Sequence, residues 1–265
     1  MMPVGRFRTF EVSDPQFEVE GLRHATVHSP ALGSRTDLTL WVPDAPGPLP
    51  IVILLHGVYG SHWLWVHKAG VHRTAARLIA SGVLPPMVLA MPSDGMWEDG
   101  SGYLPLPSRD AQTWIVEEVV EATTEAVPTA KAEAGVCIAG LSMGGYGALR
   151  LAALHPGRFR AAAAHSTVTN LDQLATVTAT ALPDNTDLAD LLSSAAGLPP
   201  IRFDCGLDDR FLPANRALAA RLHAAGVPHV YEEHPGGHEW PYWTRRVQDT
   251  LRFFGDILGG PTLRA

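Results

Sequence analysis

One serine of the chain lies in a setting that favours nucleophilic catalysis. The segment Gly140-Leu141-Ser142-Met143-Gly144 follows the apolar run Val136–Ala139 and precedes a helical pattern over Gly144–His155. A G-x-S-x-G sequence between a buried strand and a helix predicts a sharp turn that raises the serine hydroxyl above the sheet. The turn also places Ser142 at a helix N-terminus, where backbone N–H groups favour developing negative charge. We interpret Ser142 as the candidate nucleophile.

A serine hydroxyl needs a general base, and His238 is the best placed of the twelve histidines. It follows Pro235-Gly236-Gly237, in a loop expected between the last strand and the last helix. His234, four residues earlier, raises the alternative of a metal-binding pair. The intervening Pro-Gly-Gly forbids the helix that would bring both rings to one metal. The sequence therefore predicts His238 as the base, with neither a metal nor an organic cofactor.

The third member of such a site is a carboxylate that orients the imidazole and stabilises its charged form. Asp208 and Asp209 both follow the penultimate predicted strand. By position alone either aspartate could serve. The order serine, aspartate, histidine along the chain is the one expected when the serine lies in a strand–turn–helix elbow.

Nucleophilic attack by a serine also needs two backbone N–H donors that stabilise the oxyanion formed. The first is expected from Met143, the residue after the nucleophile. The second is expected from the loop after the apolar run Ile51–Leu55, where Val58 is the first choice and Gly57 the second. His56, at the start of this loop, is interpreted as a residue that positions the loop.

Short apolar runs alternate with helical patterns from residue 51 onwards, which predicts parallel βαβ units covered by helices on both faces. Catalytic residues should then follow the strands, because the carboxyl ends of parallel strands meet at one edge. The predicted strands are Ile51–Leu55, Met87–Met91, Val136–Ala139, Ala161–Ala164, Ile201–Phe203 and Val230–Tyr231. The predicted helices are Ala69–Ser81, Gln112–Val127, Gly144–His155, Ala214–Ala225 and Tyr242–Leu258.

Two segments extend this pattern within what we expect to be a single domain over residues 1–265. Residues 1–45 are predicted to be an N-terminal strand extension, since Phe17–Leu22 and Thr36–Val42 alternate apolar and polar residues. Residues 166–200 are too long for a simple connection and are interpreted as a candidate lid or pocket wall, with a short helix over Leu188–Ala196.

Composition excludes several classes of protein. With 46% apolar and 18% charged residues among 265, the chain can bury a large core and does not resemble a disordered protein. The net charge of −7 and the absence of a basic stripe argue against nucleic acid as a partner. No apolar run reaches about 18 residues, so no membrane span is expected. The N-terminus shows no signal-peptide pattern, and Cys137 and Cys205 are interpreted as buried thiols, so a cytoplasmic location is expected.

Four segments together resemble one known family. They are Leu55-His56-Gly57-Val58-Tyr59-Gly60, Gly140-Leu141-Ser142-Met143-Gly144-Gly145-Tyr146-Gly147-Ala148, Gly206-Leu207-Asp208-Asp209-Arg210-Phe211-Leu212 and Pro235-Gly236-Gly237-His238-Glu239-Trp240. They are similar to the putative-esterase family, which includes esterase D (S-formylglutathione hydrolase), feruloyl and acetylxylan esterases, enterochelin-esterase-like proteins and the mycolyltransferases of the antigen 85 group. The resemblance implies an α/β-hydrolase fold with a mostly parallel central sheet, antiparallel N-terminal strands and helices on both faces. Because the family's acid follows glycine as G-x-x-D, it also implies Asp209 rather than Asp208.

The resemblance implies a serine carboxylic-ester hydrolase that works through an acyl-enzyme on a small or aromatic ester. An acyltransferase would use the same acyl-enzyme. A thioesterase similar to S-formylglutathione hydrolase is a second alternative, indicated by Trp97–Tyr103, although Val58-Tyr59-Gly60 replaces the Leu-Thr-Cys usual in those enzymes. A non-catalytic binding protein of the same fold is disfavoured because all three triad residue types are present.

Aromatic residues near the catalytic edge give an expectation about the substrate, because aromatic walls suit apolar or aromatic acyl and alcohol groups. We expect Asp94, Glu98 and Asp99 to add negative charge at the rim and to disfavour anionic substrates. The expected partner is a small-molecule ester, and a homo-oligomer is compatible with the sequence. The predicted pocket residues are Tyr59, Trp63, Trp97, Trp240 and Trp243.

Overall fold

The computed structural model describes residues 5–96, 98–175 and 187–259. Within them, nine strands form one sheet in the order β1-β2-β3-β5-β4-β8-β9-β10-β11, and β6 and β7 form a small hairpin. The strands are β1 Phe10–Val12, β2 Leu22–Ser29, β3 Ser34–Trp41, β4 Ile51–Leu55, β5 Val88–Pro92, β6 Pro105–Leu106, β7 Arg109–Asp110, β8 Val136–Leu141, β9 Ala161–His165, β10 Ile201–Gly206 and β11 Val230–His234.

The sheet is antiparallel on its N-terminal side and parallel elsewhere. β1, β2, β3 and β5 pair antiparallel, whereas β5, β4, β8, β9, β10 and β11 pair parallel. Strands β4, β5, β8, β9 and β10 are buried along their whole length. Burial on both faces explains why β4, β5, β8 and β9 are largely continuous apolar runs rather than alternating ones, whereas β10 buries Arg202 and Asp204 between its apolar residues. The predicted mostly parallel sheet with antiparallel N-terminal strands is confirmed.

The helices cover both faces of the sheet, as predicted. On β4, Ile51, Ile53 and Leu55 join one core, and Val52 and Leu54 join the other, as the two-residue period of a strand requires. Helices α4, α5, α7 and α8 pack on the first core, and α1, α2 and α9 pack on the second. The helices are α1 Leu64–His67, α2 Val71–Ala80, α3 Ala111–Thr113, α4 Val119–Ala126, α5 Met143–Leu154, α6 Leu171–Ala175, α7 Leu188–Ser194, α8 Leu212–Ala224 and α9 Trp240–Leu258. A π-helical turn over Trp114–Glu118 joins α3 to α4.

One predicted strand is wrong. The segment Phe17–Leu22 does not form a strand, because a 3-10 turn over Pro15–Phe17 and a left-handed bend occupy it. Glu20 and Gly21 have φ values of 55° and 75°, which reverse the chain before β2 begins at Leu22. Turn chemistry therefore overrides the apolar alternation in this segment.

The segment 166–200 carries secondary structure of its own. Its described part contains α6 and α7, and α7 lies close to the predicted short helix Leu188–Ala196. Leu188 and Leu192 of α7 are buried in the core together with residues of α5 and α8. At least this part of the segment is therefore a fixed element, and its role as a lid or pocket wall stays a prediction.

Two further expectations concern the cysteine thiols and membrane-spanning helices. Cys137 and Cys205 are both buried and unpaired, as predicted. Burial raises the pKa of the Cys137 thiol to about 12, so this thiol remains protonated at neutral pH. Among the helices of the described ranges, none has the length and apolar character that a membrane span requires.

Candidate functional site

Ser142 occupies the sharp turn between β8 and α5. Its φ of 54° and ψ of −118° are values that side-chain-bearing residues rarely adopt. The turn needs glycine at positions 140 and 144. A Cβ on Gly140 would lie 2.2 Å from the carbonyl oxygen of Gly144, and a Cβ on Gly144 would lie 2.5 Å from the carbonyl oxygen of Leu55. The Ser142 N–H donates to the His165 carbonyl at 2.9 Å, which fixes the turn to β9.

The structure brings Ser142, His238 and Asp209 together. His238 Nε2 lies 3.1 Å from Ser142 Oγ, and His238 Nδ1 lies 2.9 Å from Asp209 Oδ2. Because an ionised carboxylate only accepts hydrogen bonds, Nδ1–H donates to Asp209 and leaves the Nε2 lone pair facing the serine hydroxyl. Asp208 is exposed, and His234 belongs to β11, so neither alternative joins this group.

The surroundings of Asp209 favour its ionised form. Burial raises the pKa of this carboxyl, but its hydrogen bond and attraction to His238, the Phe211 N–H and the Ser166 hydroxyl together lower the pKa below its ordinary value. The Phe211 N–H donates to Asp209 Oδ1 at 2.8 Å. A buried carboxylate that stays charged can hold the imidazole in one tautomer and stabilise it when it is protonated.

Aromatic rings fix the orientation of the His238 imidazole. Phe211 and Trp243 each meet it edge to face, at centroid distances of 5.1 and 5.0 Å. The series of rings continues from Trp243 to Trp240 at 5.2 Å and on to Trp65 at 6.2 Å. Trp243 is buried, so the side chain predicted as a pocket wall packs behind the imidazole. The sequence placed the tryptophans near this edge but did not reveal the packing.

The two predicted oxyanion donors are Met143, the first residue of α5, and Val58, in the loop after β4. A Cβ added to Gly100 would lie 2.5 Å from Met143 Sδ and 3.4 Å from Val58 Cγ1, so both side chains approach the same point. A Cβ on Gly57 would lie 3.4 Å from the Cβ of Ser142, which brings this loop against the elbow. Within the described residues, no hydrogen bond occupies the backbone N–H of Met143 or of Val58.

His56 holds the loop that carries Gly57 and Val58. Its Nδ1 lies 2.7 Å from the Gly57 carbonyl, and its Nε2 accepts the Asp94 N–H at 3.1 Å. An Nε2 that accepts leaves the proton on Nδ1, which donates to the carbonyl. The Tyr103 hydroxyl donates to the His56 carbonyl at 3.0 Å. This geometry agrees with the loop-positioning role expected for His56.

The acidic rim predicted from the sequence is wrong for Asp94. Asp94 is buried, and its carboxylate accepts the N–H groups of Met96 and Ser101 at 3.0 and 2.8 Å. These bonds tie Met96 and Ser101 to the Asp94 carboxylate and explain the burial of an acidic side chain. Glu98 is exposed and Asp99 is half-buried, so they can contribute charge at the surface.

The remaining predicted pocket residues differ in exposure. Tyr59 and Trp63 leave 71% and 41% of their surface exposed, and Trp240 is half-buried. Tyr59 has a φ of 60°, and its N–H donates to the Asp99 carbonyl at 2.8 Å. Trp97 lies outside the described residues.

In the part of the chain that the structure describes, no group of three His, Cys, Asp or Glu side chains is arranged to hold a metal ion.

Comparisons with known proteins identify the family of the chain. The family described as "Putative esterase" matches residues 29–254. An acetyl esterase of Caldicellulosiruptor saccharolyticus is 24% identical over 235 residues, which cover 79% of this chain and 84% of that protein. The structure of a fluorophosphonate-binding serine hydrolase of Staphylococcus aureus superposes with a TM-score of 0.77 at 23% identity, over 89% of this chain and 98% of that one. A ferulic acid esterase superposes with a TM-score of 0.77 at 24% identity, over 94% and 99% of the two chains. The chain has the α/β-hydrolase fold, belongs to the putative esterase family and is a carboxylic ester hydrolase.

Proposed function

We propose that the chain hydrolyses carboxylic esters through a Ser142–His238–Asp209 triad and an acyl-enzyme intermediate. His238 Nε2 removes the Ser142 proton while Oγ attacks the ester carbonyl. The oxyanion of the tetrahedral intermediate accepts the N–H groups of Met143 and Val58. His238 then returns the proton to the leaving alcohol, and a water activated by the same imidazole releases the acid.

The observation that carries this proposal is the hydrogen-bonded series from serine to carboxylate. Distances of 3.1 and 2.9 Å join Oγ to Nε2 and Nδ1 to Oδ2, with Ser142 held in its strained turn. Strained backbone persists only where its surroundings fix it, and such sites are commonly functional. The lowered pKa of Asp209 supports the electrostatic role proposed for this residue, because an ionised carboxylate stabilises the His238 imidazolium that forms during attack.

A serine-directed probe tests the nucleophile. We expect a fluorophosphonate to add one covalent mass to the protein and peptide mapping to place it on Ser142. Ser142→Ala should remove the adduct and abolish hydrolysis of p-nitrophenyl acetate. Ser61→Ala is the matched control, because this nearby buried serine donates to Met96 Sδ and should leave labelling unchanged. A folded protein that stays unmodified, or one that is labelled elsewhere, would contradict the proposal.

The proposed substrate is an ester of a small or aromatic group. In this proposal the exposed rings of Tyr59 and Trp63 and the half-buried ring of Trp240 supply aromatic surface for the substrate. The acetyl esterase and ferulic acid esterase similarities support small and aromatic acyl groups, respectively. A panel of p-nitrophenyl esters of increasing acyl length, with methyl ferulate and S-formylglutathione, tests this choice. We expect the highest kcat/KM for acetyl or feruloyl esters, and a preference for S-formylglutathione would favour a thioesterase instead.

A further inference from the structure

His56 is held at two points by residues that follow β5. The Asp94 N–H donates to His56 Nε2 at 3.1 Å, and the Tyr103 hydroxyl donates to the His56 carbonyl at 3.0 Å. All three residues are buried. Burial raises the pKa of the Tyr103 hydroxyl, so at neutral pH this group keeps the proton that it donates. The imidazole and the backbone of His56 are therefore each fixed by a separate hydrogen bond.

Hydrogen bonds also join Asp94 to Tyr103. Asp94 Oδ2 accepts the Ser101 N–H at 2.8 Å, and Ser101 Oγ accepts the Tyr103 N–H at 3.1 Å. Together with the two bonds to His56, these contacts close a ring of hydrogen bonds. Buried networks of this kind make the chain that they join rigid. We call Asp94, Ser101 and Tyr103 the His56 anchor.

The beginning of the His56 anchor is itself fixed to the sheet and to a helical turn. Ser93 precedes Asp94, and its N–H donates to the Asp37 carbonyl of β3 at 2.9 Å. The indole N–H of Trp114 donates to the Ser93 carbonyl at 2.8 Å. Trp114 is fully buried and begins the π-helical turn, a feature that is frequent at functional sites. The anchor therefore ties His56 to the buried part of the fold.

Residues next to the anchor contact the oxyanion loop on the other side of Val58. The Tyr59 N–H donates to the Asp99 carbonyl at 2.8 Å. A Cβ on Gly100 would lie 3.4 Å from Val58 Cγ1, so this backbone packs against the Val58 side chain. Val58 thus lies between two attachments, one at His56 and one at Tyr59. Because peptide units are planar, the direction of its N–H depends on how this short stretch of backbone is held.

We propose that Asp94 and Tyr103 are positioning residues that keep the Val58 N–H directed at the oxyanion. They act through His56, which both of them hold. The proposal rests on the proposed function, in which the Val58 N–H is one of the two oxyanion donors. A donor is effective when it already points at the position where negative charge develops. Loss of the anchor should therefore weaken stabilisation of the oxyanion and leave proton transfer by His238 intact.

Asp94→Asn is the first test. It keeps the size of the side chain, but the amide has one accepting oxygen and its NH2 group can only donate, so one of the two bonds of the carboxylate is lost. Complete loss of an oxyanion donor lowers kcat by about 100- to 1,000-fold, and a displaced donor should cost less. We expect kcat/KM for p-nitrophenyl acetate, per site titrated with a fluorophosphonate, to fall about tenfold. Asp110→Asn is the matched control, because its carboxylate also accepts two hydrogen bonds, both from Thr113, and kcat/KM should stay unchanged.

Inhibition by trifluoroacetophenone gives a readout that a merely structural role would not move. Ser142 Oγ adds to the ketone carbon, the serine proton passes to His238, and the carbonyl oxygen becomes an oxyanion that the N–H donors hold. Such an adduct resembles the transition state, so its Ki should rise by the factor by which kcat/KM falls. Acetophenone lacks the fluorines that favour this addition. It should therefore bind the wild type and Asp94→Asn equally.

Tyr103→Phe tests the second contact with His56. The change removes one hydroxyl and keeps the buried ring, so it decides the proposal if Asp94→Asn does not fold. Because the His56 carbonyl loses its donor, we expect kcat/KM to fall about three- to tenfold, with a matching rise in the Ki of trifluoroacetophenone. Tyr231→Phe is the control, since its hydroxyl donates to Glu233 on β11, and both quantities should keep their wild-type values.

Two results would overturn the proposal. One is wild-type kcat/KM in Tyr103→Phe and in folded Asp94→Asn. The other is a fall in kcat/KM with an unchanged Ki of trifluoroacetophenone, because the defect would then lie outside the oxyanion site.

The outcome also distinguishes this inference from the proposed function. If the wild-type protein is not labelled at Ser142, the proposed function fails. If the wild type is labelled and active while both variants match its kcat/KM, only the role of Asp94 and Tyr103 fails.

Discussion

At the residue scale, the site selects between two adjacent aspartates. The Asp208 N–H donates to the Gly236 carbonyl at 2.9 Å while its side chain is exposed. The Asp209 side chain turns inward and meets His238 Nδ1 at 2.9 Å. Their positions relative to the strand could not show which aspartate is the acid, because both Asp208 and Asp209 follow β10 within three residues. The family's G-x-x-D spacing implied Asp209, and the side-chain geometry agrees with it.

This pair provides a matched test of the acid. Asp209→Asn should lower kcat by about 1,000-fold or more, because the amide can donate to Nδ1 and so favours the tautomer whose Nε2 carries a proton and cannot act as a base. Asp208→Asn should leave kcat unchanged. The measurement is hydrolysis of p-nitrophenyl acetate, normalised to fluorophosphonate-titrated sites. Equal losses in the two variants would contradict the assignment.

At the element scale, the buried strands were the most predictable part of the molecule. Continuous apolar runs identified β4, β8 and β9 because these strands are covered on both faces. The short helix α1 and the 3-10 turn over Pro15–Phe17 were missed, since four- and three-residue elements carry too little periodicity to be recognised.

The support around the triad was not predictable from local patterns. Trp243 and Ser166 are 77 residues apart, and His56 and Asp94 are 38 residues apart. Contacts of this kind depend on how strands and helices are placed in space, and no spacing rule along the chain encodes them. The triad residues were found because the chemistry restricts their types and the sheet edge restricts their positions.

Gly206 joins the loop that carries the acid to the loop that carries the base. A Cβ on this last residue of β10 would lie 2.2 Å from the Gly236 carbonyl oxygen, a backbone atom that cannot turn aside. Gly206→Ala should therefore lower the free energy of unfolding by about 1–3 kcal/mol. It should also lower kcat at least about tenfold, because the His238 loop must move away from Asp209.

Gly82→Ala is the control for this substitution. Gly82 has a φ of 69° and open space around it, so alanine there should cost roughly 1–2 kcal/mol of strain with no change in kcat. Urea unfolding and active-site-normalised kinetics measure both quantities. A Gly206→Ala protein with wild-type kcat would show that the two loops do not depend on this close approach.

At the scale of the whole molecule, a buried ionic cluster ties α9 to the parallel strands. Asp204 is its centre, and it contacts His165 Nδ1 at 2.9 Å, Arg202 Nη1 at 2.6 Å and the Tyr242 hydroxyl at 2.7 Å. Thr250 of α9 bonds His165 Nε2 at 3.1 Å. Because α9 begins two residues after His238, this cluster also anchors the loop that carries the base.

The cluster gives the fold a defined dependence on pH. Burial raises the pKa of Asp204, but the charge and hydrogen bond of His165, with the charge of Arg202, outweigh it and lower the pKa to about 2 from an ordinary 3.8. A carboxyl whose pKa is depressed in the folded state stabilises the fold above its unfolded-state pKa. This contribution, about 2 kcal/mol, is lost as the pH falls from about 4 to 2.

Asp204→Asn tests both the size and the pH dependence of this contribution. At pH 7 the free energy of unfolding should fall by at least about 2 kcal/mol, because the ionised carboxylate no longer faces His165 and Arg202, and Arg202 keeps only Glu232 as a carboxylate partner. Below pH 4 the gap between the variant and the wild type should narrow, since protonation removes the same charge from the wild type. Urea unfolding followed by tryptophan fluorescence at several pH values measures this. Asp256→Asn, which changes an exposed carboxylate on α9, should follow the wild-type curve. A constant gap from pH 7 to pH 2 would mean that Asp204 is not the group whose protonation weakens the fold in acid.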